Sequence, residues 1–280
     1  MKTKHKIAVA KIAYVIFHAC RRVVGAGDEV IATRRGVRYC LDLSEGIDFA
    51  IFLGQYEPQT IAACRRNIRP GQNVLDIGAN IGAHTLNFAR LVGVTGHVFA
   101  FEPTDFAFSK LTRNLNLNPD LAARVTAFQC FLGSTDGGPT TGPIYSSWPL
   151  VRGENLHQKH LGQPMSTTKS CQRTLDSILA EHGRPQIHLV KLDVDGFEWE
   201  VLSGAREMIS RDRPLFVMEL SPYVLEERGA SLDELTQYFA AFDYRFFREY
   251  NDAPLPREGE QLAGLVGDGA GINVIVRPQS

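Results

Sequence analysis

No two cysteines in this chain stand close enough to form a C-x-x-C pair. Cys20, Cys40, Cys64, Cys130 and Cys171 are scattered and odd in number, which argues against a disulfide framework and a structural zinc site. Reduced thiols in a cytoplasmic protein are the simplest account. An excess of one charge is missing too: 30 Lys and Arg stand against 31 Asp and Glu, a net charge of −1. That leaves no electrostatic footprint for a nucleic-acid binder, and Arg34-Arg35 and Arg65-Arg66 read as solvated faces. The eight histidines form no H-x-x-x-H or Cys/His ligand set. No G-x-S-x-G elbow marks a hydrolase, and no N/D-P-P-Y motif follows the fourth expected strand. Long apolar runs are absent. Ile7 to Cys20 comes nearest, yet Lys11 interrupts it, no A-x-A cleavage site follows, and it is too short to span a bilayer. Ile12, Val15, Ile16 and Ala19 fall at helical spacing, so the expectation is an amphipathic helix docked on the domain. Peripheral membrane contact is the alternative.

What is present is an ordinary globular composition, 44% hydrophobic and 22% charged over 280 residues. Residues 28–43 read as a short hairpin and Glu57 to Asn67 as a helix ended by Pro70-Gly71. Strands then alternate with helices. Strands are expected at Asn73 to Ile77, His97 to Phe101, Val125 to Leu132, Ile187 to Leu192, Pro214 to Glu219, Tyr244 to Arg248 and Ile272 to Val276. Helices are expected at Gly82 to Val92, Phe106 to Leu117, Glu198 to Ser210 and Leu232 to Phe242. This order predicts an α/β fold with a mostly parallel sheet covered on both faces. Residues 1–69 form an N-terminal helix, hairpin and helix packing on a core domain of residues 70–280. Within that domain, residues 139–170 are rich in Gly, Pro, Ser and Thr and read as a substrate loop.

The sharpest motif is Val74-Leu75-Asp76-Ile77-Gly78-Ala79-Asn80-Ile81-Gly82, a strand running through a tight glycine turn into a helix. Gly78 permits positive φ, and Gly82 permits close helix–strand packing. Asn80 stands where a dinucleotide fingerprint would place its second glycine, which counts against a pyrophosphate. Glu102 ends the next strand, where an acid accepts two hydrogen bonds from ribose hydroxyls. Asp76 near the turn suits an ammonium group and repels a phosphate. A nucleoside with a cationic tail and no phosphates describes S-adenosylmethionine.

Several separated motifs, in order, resemble the FkbM-type methyltransferases from about Val37 to the last strand. They are Gly54-Gln55-Tyr56-Glu57-Pro58, Pro70-Gly71, the Asp76–Gly82 turn, Ala100-Phe101-Glu102-Pro103, Leu111 with Asn114 and Asn118, Thr174-Leu175-Asp176, Val190 to Glu198, and Val201-Leu202-Ser203-Gly204-Ala205. The resemblance implies a class I methyltransferase fold, Rossmann-like, with a seven-stranded sheet whose last strand is antiparallel. It also implies S-adenosylmethionine as cofactor and O-methylation, commonly of sugars or secondary metabolites. The cofactor-binding set is then Glu57, Asp76, Gly78, Asn80, Gly82, Glu102, Pro103, Leu132 and Asp193. The family pattern has a glutamate where this chain has Asp195.

Asp193 and Lys191 are the candidate catalytic pair. Methyl transfer from a sulfonium is an in-line displacement, so the enzyme mainly holds the nucleophile near the methyl. Asp193, just past the fourth strand, is placed to take the acceptor's proton or orient its hydroxyl. Lys191, two residues earlier on the same face, would stabilise developing charge. The competing reading has Asp193 and Asp195 capping the next helix, with Glu198 complementing its dipole. Asp193-Val194-Asp195-Gly196 looks superficially like an EF-hand start but lacks its third acid and distal glutamate; the expectation is a site without metal, with a Mg²⁺ held by two or three carboxylates to activate the alcohol as the alternative. His84 falls on the helix after the turn, in packing or at the cofactor edge, and His157 and His160 read as solvated loop residues, with contact to the substrate as the alternative. Two other functions remain open: an NAD-dependent oxidoreductase, which Asn80 and Asp76 oppose, and a non-catalytic nucleoside binder. The expected partner is a small hydroxyl acceptor rather than nucleic acid.

Overall fold

The computed structural model describes residues 3–23, 25–138, 142–151, 153–267 and 269–279. Met1 and Lys2 of the basic start, and residues 139–141 at the head of the expected substrate loop, lie outside the described residues. The chain begins with α1 (Thr3–Val23), the hairpin of β1 (Glu29–Arg34) and β2 (Val37–Asp42), and helices α2 (Gly46–Phe52) and α3 (Pro58–Asn67). Arg35 and Gly36 both take positive φ, the geometry a two-residue hairpin turn requires. The alternation follows as β3 (Asn73–Ile77), α4 (Ala83–Leu91), β4 (His97–Phe101), α5 (Asp105–Asn116), the single turn α6 (Pro119–Ala122) and β5 (Val125–Phe128). Short strands β6 (Cys130–Leu132), β7 (Ile144–Ser147), β8 (Gln163–Met165) and β9 (Cys171–Arg173) come next, then α7 (Leu175–Glu181) and β10 (Leu189–Leu192). The chain ends with α8 (Glu198–Ser203), α9 (Arg206–Asp212), β11 (Leu215–Leu220), α10 (Pro222–Glu227), α11 (Leu232–Ala241), β12 (Tyr244–Arg248), α12 (Gly259–Ala263) and β13 (Ile272–Pro278).

Seven strands make one sheet in the order β12-β13-β11-β10-β3-β4-β5. β13 runs antiparallel to both neighbours, and the pairs from β11 to β5 are parallel. The strands are apolar on both sides because helices cover both. On one face Leu75, Phe99, Phe101, Leu192, Phe216 and Met218 pack with Ile178, Val201, Leu235 and Phe239. On the other, Val74, Val98, Leu189, Val217 and Ile275 pack with Ala63, Phe88 and Ala89. The N-terminal elements add a third layer, in which Tyr14, Tyr39, Leu41 and Phe49 close on Ile81 and Leu86.

Four expectations need correction. Val125 to Leu132 is two strands: β5 ends at Phe128, and β6 leaves the sheet to pair in parallel with β9. The helix expected over Glu198 to Ser210 breaks at Gly204, which lies so close to the Gly133 carbonyl that a Cβ there would collide with it. The expected loop contains an antiparallel pair, β7 with β8. It is tied down by Gly46 N–H donating to Trp148 O and by Glu45 accepting from Ser147 and Trp148. Helix α1 does dock, but through the stripe opposite the one its spacing suggested. Ile7 and Tyr14 are buried, and Tyr14 and Phe17 pack on the Phe49 ring, while Ile12, Val15 and Ile16 face outward.

Candidate active site

The carboxyl ends of β3, β4, β10 and β11 border a cavity of about 790 Å³, where open α/β sheets bind ligands. After β3 the chain turns through Gly78, Asn80 and Gly82, with φ of 81°, 47° and 87°. A Cβ on Gly78 would overlap the carbonyl oxygen of Asp193. A Cβ on Gly82 would lie 2.6 Å from Leu111 Cδ1, so this glycine serves packing of α4 against α5, rather than the helix–strand contact expected.

Glu102, 4% exposed, follows β4 and is held on both oxygens. Oε2 accepts the Asn80 N–H at 3.0 Å; Oε1 accepts the Thr104 N–H at 2.9 Å and the Thr104 hydroxyl at 2.5 Å. Burial raises its pKa, and these hydrogen bonds pull it back. The Thr104 hydroxyl also lies 2.8 Å from Ser146 Oγ, and Asn80 Nδ2 donates to Ser146 O at 3.3 Å. The β7 strand is thereby bonded directly to the turn. Pro103 and Leu132 line the cavity beside Glu102. Glu57, at the start of α3, lines it from the N-terminal layer, with its carboxylate 2.8 Å from His84 Nε2.

Asp76 and Lys191 are partners in register on adjacent strands, and the structure places both beneath the cavity. Asp76 is fully buried and accepts the Thr85 hydroxyl at 2.5 Å, so it does not reach a ligand's ammonium. Lys191 Nζ donates to Gly78 O at 3.0 Å and lies 3.3 Å from Asp193 Oδ2 and 3.8 Å from Asp76 Oδ1. Burial works against its charge, but Asp193, Asp76 and Glu57 outweigh burial and hold the ammonium above its ordinary pKa. It braces the turn and the Asp193 loop instead of touching reactants.

Asp193 does face the cavity, its side chain 25% exposed. Neither it nor Asp195 caps α8, whose start carries no side-chain cap bond, and Asp195 sits at a φ of 49°. Glu198 turns back instead, its Oε1 accepting the N–H groups of Val194 and Gly196 at 3.4 and 3.3 Å.

Two cavity residues, Glu219 and Tyr223, escaped the sequence reading, and a third, His160, reads in sequence mainly as a solvated loop residue. Glu219 ends β11, and burial together with Asp193 and Asp195 pushes its carboxyl well above the usual range. The strand-end rule that selected Glu102 and Asp193 applies to it equally. Tyr223 follows on α10, and His160, expected in solvent, is 4% exposed and stacked on His157 at 3.9 Å. Burial, His157 and Arg228 push the His160 pKa down to about 3. Asp195 shares the acidic neighbourhood, raised by burial, Asp193 and Glu198. Among the described residues the cavity lining holds six carboxylates (Glu57, Glu102, Asp193, Asp195, Glu219 and Glu249) and no Lys or Arg. No group of three or more His, Cys, Asp or Glu among them is arranged to hold a metal ion.

The sequence profile of the Methyltransferase FkbM domain matches residues 76–246, spanning the turn, both strand-end acids and the Asp193 loop. Methyltransferase sdnD of Sordaria araneosa is 31% identical over a stretch covering 50% of this chain and 63% of that protein. The 2-O-methyltransferase NoeI of Sinorhizobium fredii is 26% identical, covering 62% and 74%. The hexuronic acid methyltransferase AglP of Haloferax volcanii is 31% identical, covering 46% and 48%. The chain thus spans less than two thirds of the length of two of these three relatives. With the profile covering more than half of the residues, the chain belongs to the FkbM methyltransferase family.

Proposed function

We propose that this protein transfers the methyl group of S-adenosylmethionine to a hydroxyl of a small sugar or secondary-metabolite-type molecule. The observation that carries the reading is the acidic lining of the cavity: among the described residues six carboxyl groups line it and no Lys or Arg does. A pyrophosphate would find no Lys or Arg in the described lining to pair with, which disfavours NAD, and nucleic acid is disfavoured on the same ground. A sulfonium and an α-ammonium meet attraction. The residues fit the cofactor in position as well, since Glu102 stands at the cavity wall, fixed by the Asn80 and Thr104 N–H groups, to accept ribose hydroxyls.

When bound, the cofactor supplies an electrophilic methyl on sulfur. The chain's part is to hold the acceptor hydroxyl in line and to receive its proton as the new bond develops. Asp193 is the group for that, at the wall between turn and acceptor space, with Lys191 fixing its carboxylate. The names of NoeI and AglP specify a 2-O position and a hexuronic acid for those proteins. The acidic lining here favours a neutral acceptor over a hexuronate. A cytoplasmic setting accords with five free thiols. Calorimetric titration with S-adenosylhomocysteine and with NAD, followed by radiolabelled methyl transfer to a panel of hydroxyl acceptors, tests the proposal. Binding of NAD in place of S-adenosylhomocysteine would overturn it.

A further inference from the structure

Helix α1 presents two apolar stripes, and the described residues cover only one. Ile7 and Tyr14 are buried and Phe17 is half-buried, whereas Val9, Ile12, Val15 and Ile16 are 60 to 66% exposed and Val23 is 86% exposed. The exposed positions recur at helical spacing and form one continuous outward band. Aliphatic bands of this kind are rare on the water-facing surface of monomers and mark interaction sites. The charge around the band is of one sign. Residues 1–27 contain six Lys and Arg and no Asp or Glu, leaving 24 Lys and Arg against 31 Asp and Glu in the rest. Lys11 and Arg22, eleven residues apart, fall on one border of the band by helical spacing.

We propose that α1 docks this protein on an anionic membrane surface, lying in the headgroup layer with its outward band against the acyl boundary. No helix among the described residues is long and apolar enough to cross a membrane. A helix with an apolar face and basic borders lies along the interface. Anionic lipid attracts the cationic helix and repels the acidic body, so the charge asymmetry also sets the orientation. A second copy is the poorer occupant, because pairing two such bands face to face sets Lys and Arg against Lys and Arg with no acid on either helix. Ile7 and Val9 line the cavity as well as belonging to α1. Docking therefore brings the cavity mouth to the lipid–water interface, where an amphiphilic acceptor would present its hydroxyl. This last step alone rests on the methyl-transfer reading.

The test is co-sedimentation with vesicles of phosphatidylcholine, alone or mixed with phosphatidylglycerol. The protein is expected to pellet with the mixed vesicles, and about tenfold less with the neutral ones. Ile12→Glu/Ile16→Glu is expected to weaken binding to mixed vesicles by about tenfold or more. Both positions are largely exposed, so the melting temperature and S-adenosylhomocysteine affinity of the double variant should match wild type, which separates failure of docking from failure of the cofactor site. An environment-sensitive fluorophore on exposed Cys20, in a Cys171→Ser background, should shift to the blue only with mixed vesicles. Wild type left in the supernatant with mixed vesicles would overturn the proposal. So would equal binding by the double variant, or a concentration-dependent dimer that the double variant abolishes without any vesicle binding.

Discussion

Changing Glu198 to glutamine measures the electrostatic load that the acidic loop carries. The Glu198 side chain is 4% exposed; Oε1 accepts two loop N–H groups, while Oε2 is buried without a hydrogen-bond partner. Burial is the largest cause that pushes its pKa from 4.5 up to about 7; the backbone N–H groups oppose the rise and Asp193 adds to it. The folded state therefore holds this proton more tightly than the unfolded chain does. Its stabilising contribution is complete below the unfolded value of 4.5 and is lost as pH rises through about 7. Across that window the loss is about 3 kcal/mol, at about 1.4 kcal/mol per pH unit. Glu198→Gln keeps the shape and the acceptor oxygen but has no charge to bury. Urea unfolding should find the two proteins similar near pH 4.5. Near pH 8 the variant should be the more stable by about 3 kcal/mol, several degrees in Tm for a chain of this size. Discharging Glu198 also relieves Asp195 and Glu219, which feel its charge, and this acts in the same direction. Parallel stability–pH curves for the two proteins would refute the argument.

Three other substitutions probe the halves of the cavity. Glu102→Ala removes the ribose acceptor and should weaken S-adenosylhomocysteine binding by about 1.5–3 kcal/mol, tenfold or more in Kd by calorimetry. Asp193→Asn should cut kcat by about 10²–10⁴ in single-turnover assays, with cofactor affinity little changed and wild-type turnover indifferent to chelator. Inactivation by chelator, reversed by added Mg²⁺, would shift the chemistry to a metal. Gly78→Ala forces a Cβ into the Asp193 carbonyl at a φ of 81° and should cost about 2 kcal/mol or more of stability, read as a lower Tm.

The strands at Asn73–Ile77 and His97–Phe101 could be read residue for residue, because each is a short, mostly apolar run bounded by a polar or glycine turn, and Tyr244–Arg248 from its run of aromatics. β6 could not be separated from β5, since the apolar run continues through the point where the chain leaves the sheet. The phase of α1 was ambiguous for a different reason. Ile7, Ala10, Tyr14 and Phe17 recur at helical spacing as well as Ile12, Val15, Ile16 and Ala19 do, and periodicity alone does not say which stripe is covered. In the site, Glu102 and Asp193 were legible from their strand-end positions. Asp76 and Lys191 looked equally exposed in sequence, and only their pairing across β3 and β10 shows that each neutralises the other below the cavity. His160 and the β7 contacts to Asn80 and Thr104 depend on a long loop returning over the turn, which no local pattern encodes.

The close approach of Gly78 to the Asp193 carbonyl, with no room for a Cβ between them, makes the two halves of the cavity share a wall. Lys191 rivets that wall by donating to the Gly78 carbonyl and pairing with the Asp193 carboxylate. Ligands on opposite sides of one shared wall obey reciprocity: the factor by which cofactor tightens acceptor binding equals the factor by which acceptor tightens cofactor binding. A substitution at 78 that displaces the Asp193 carbonyl therefore disturbs both halves at once, and because the contact is to backbone, no change of the residue 193 side chain relieves it.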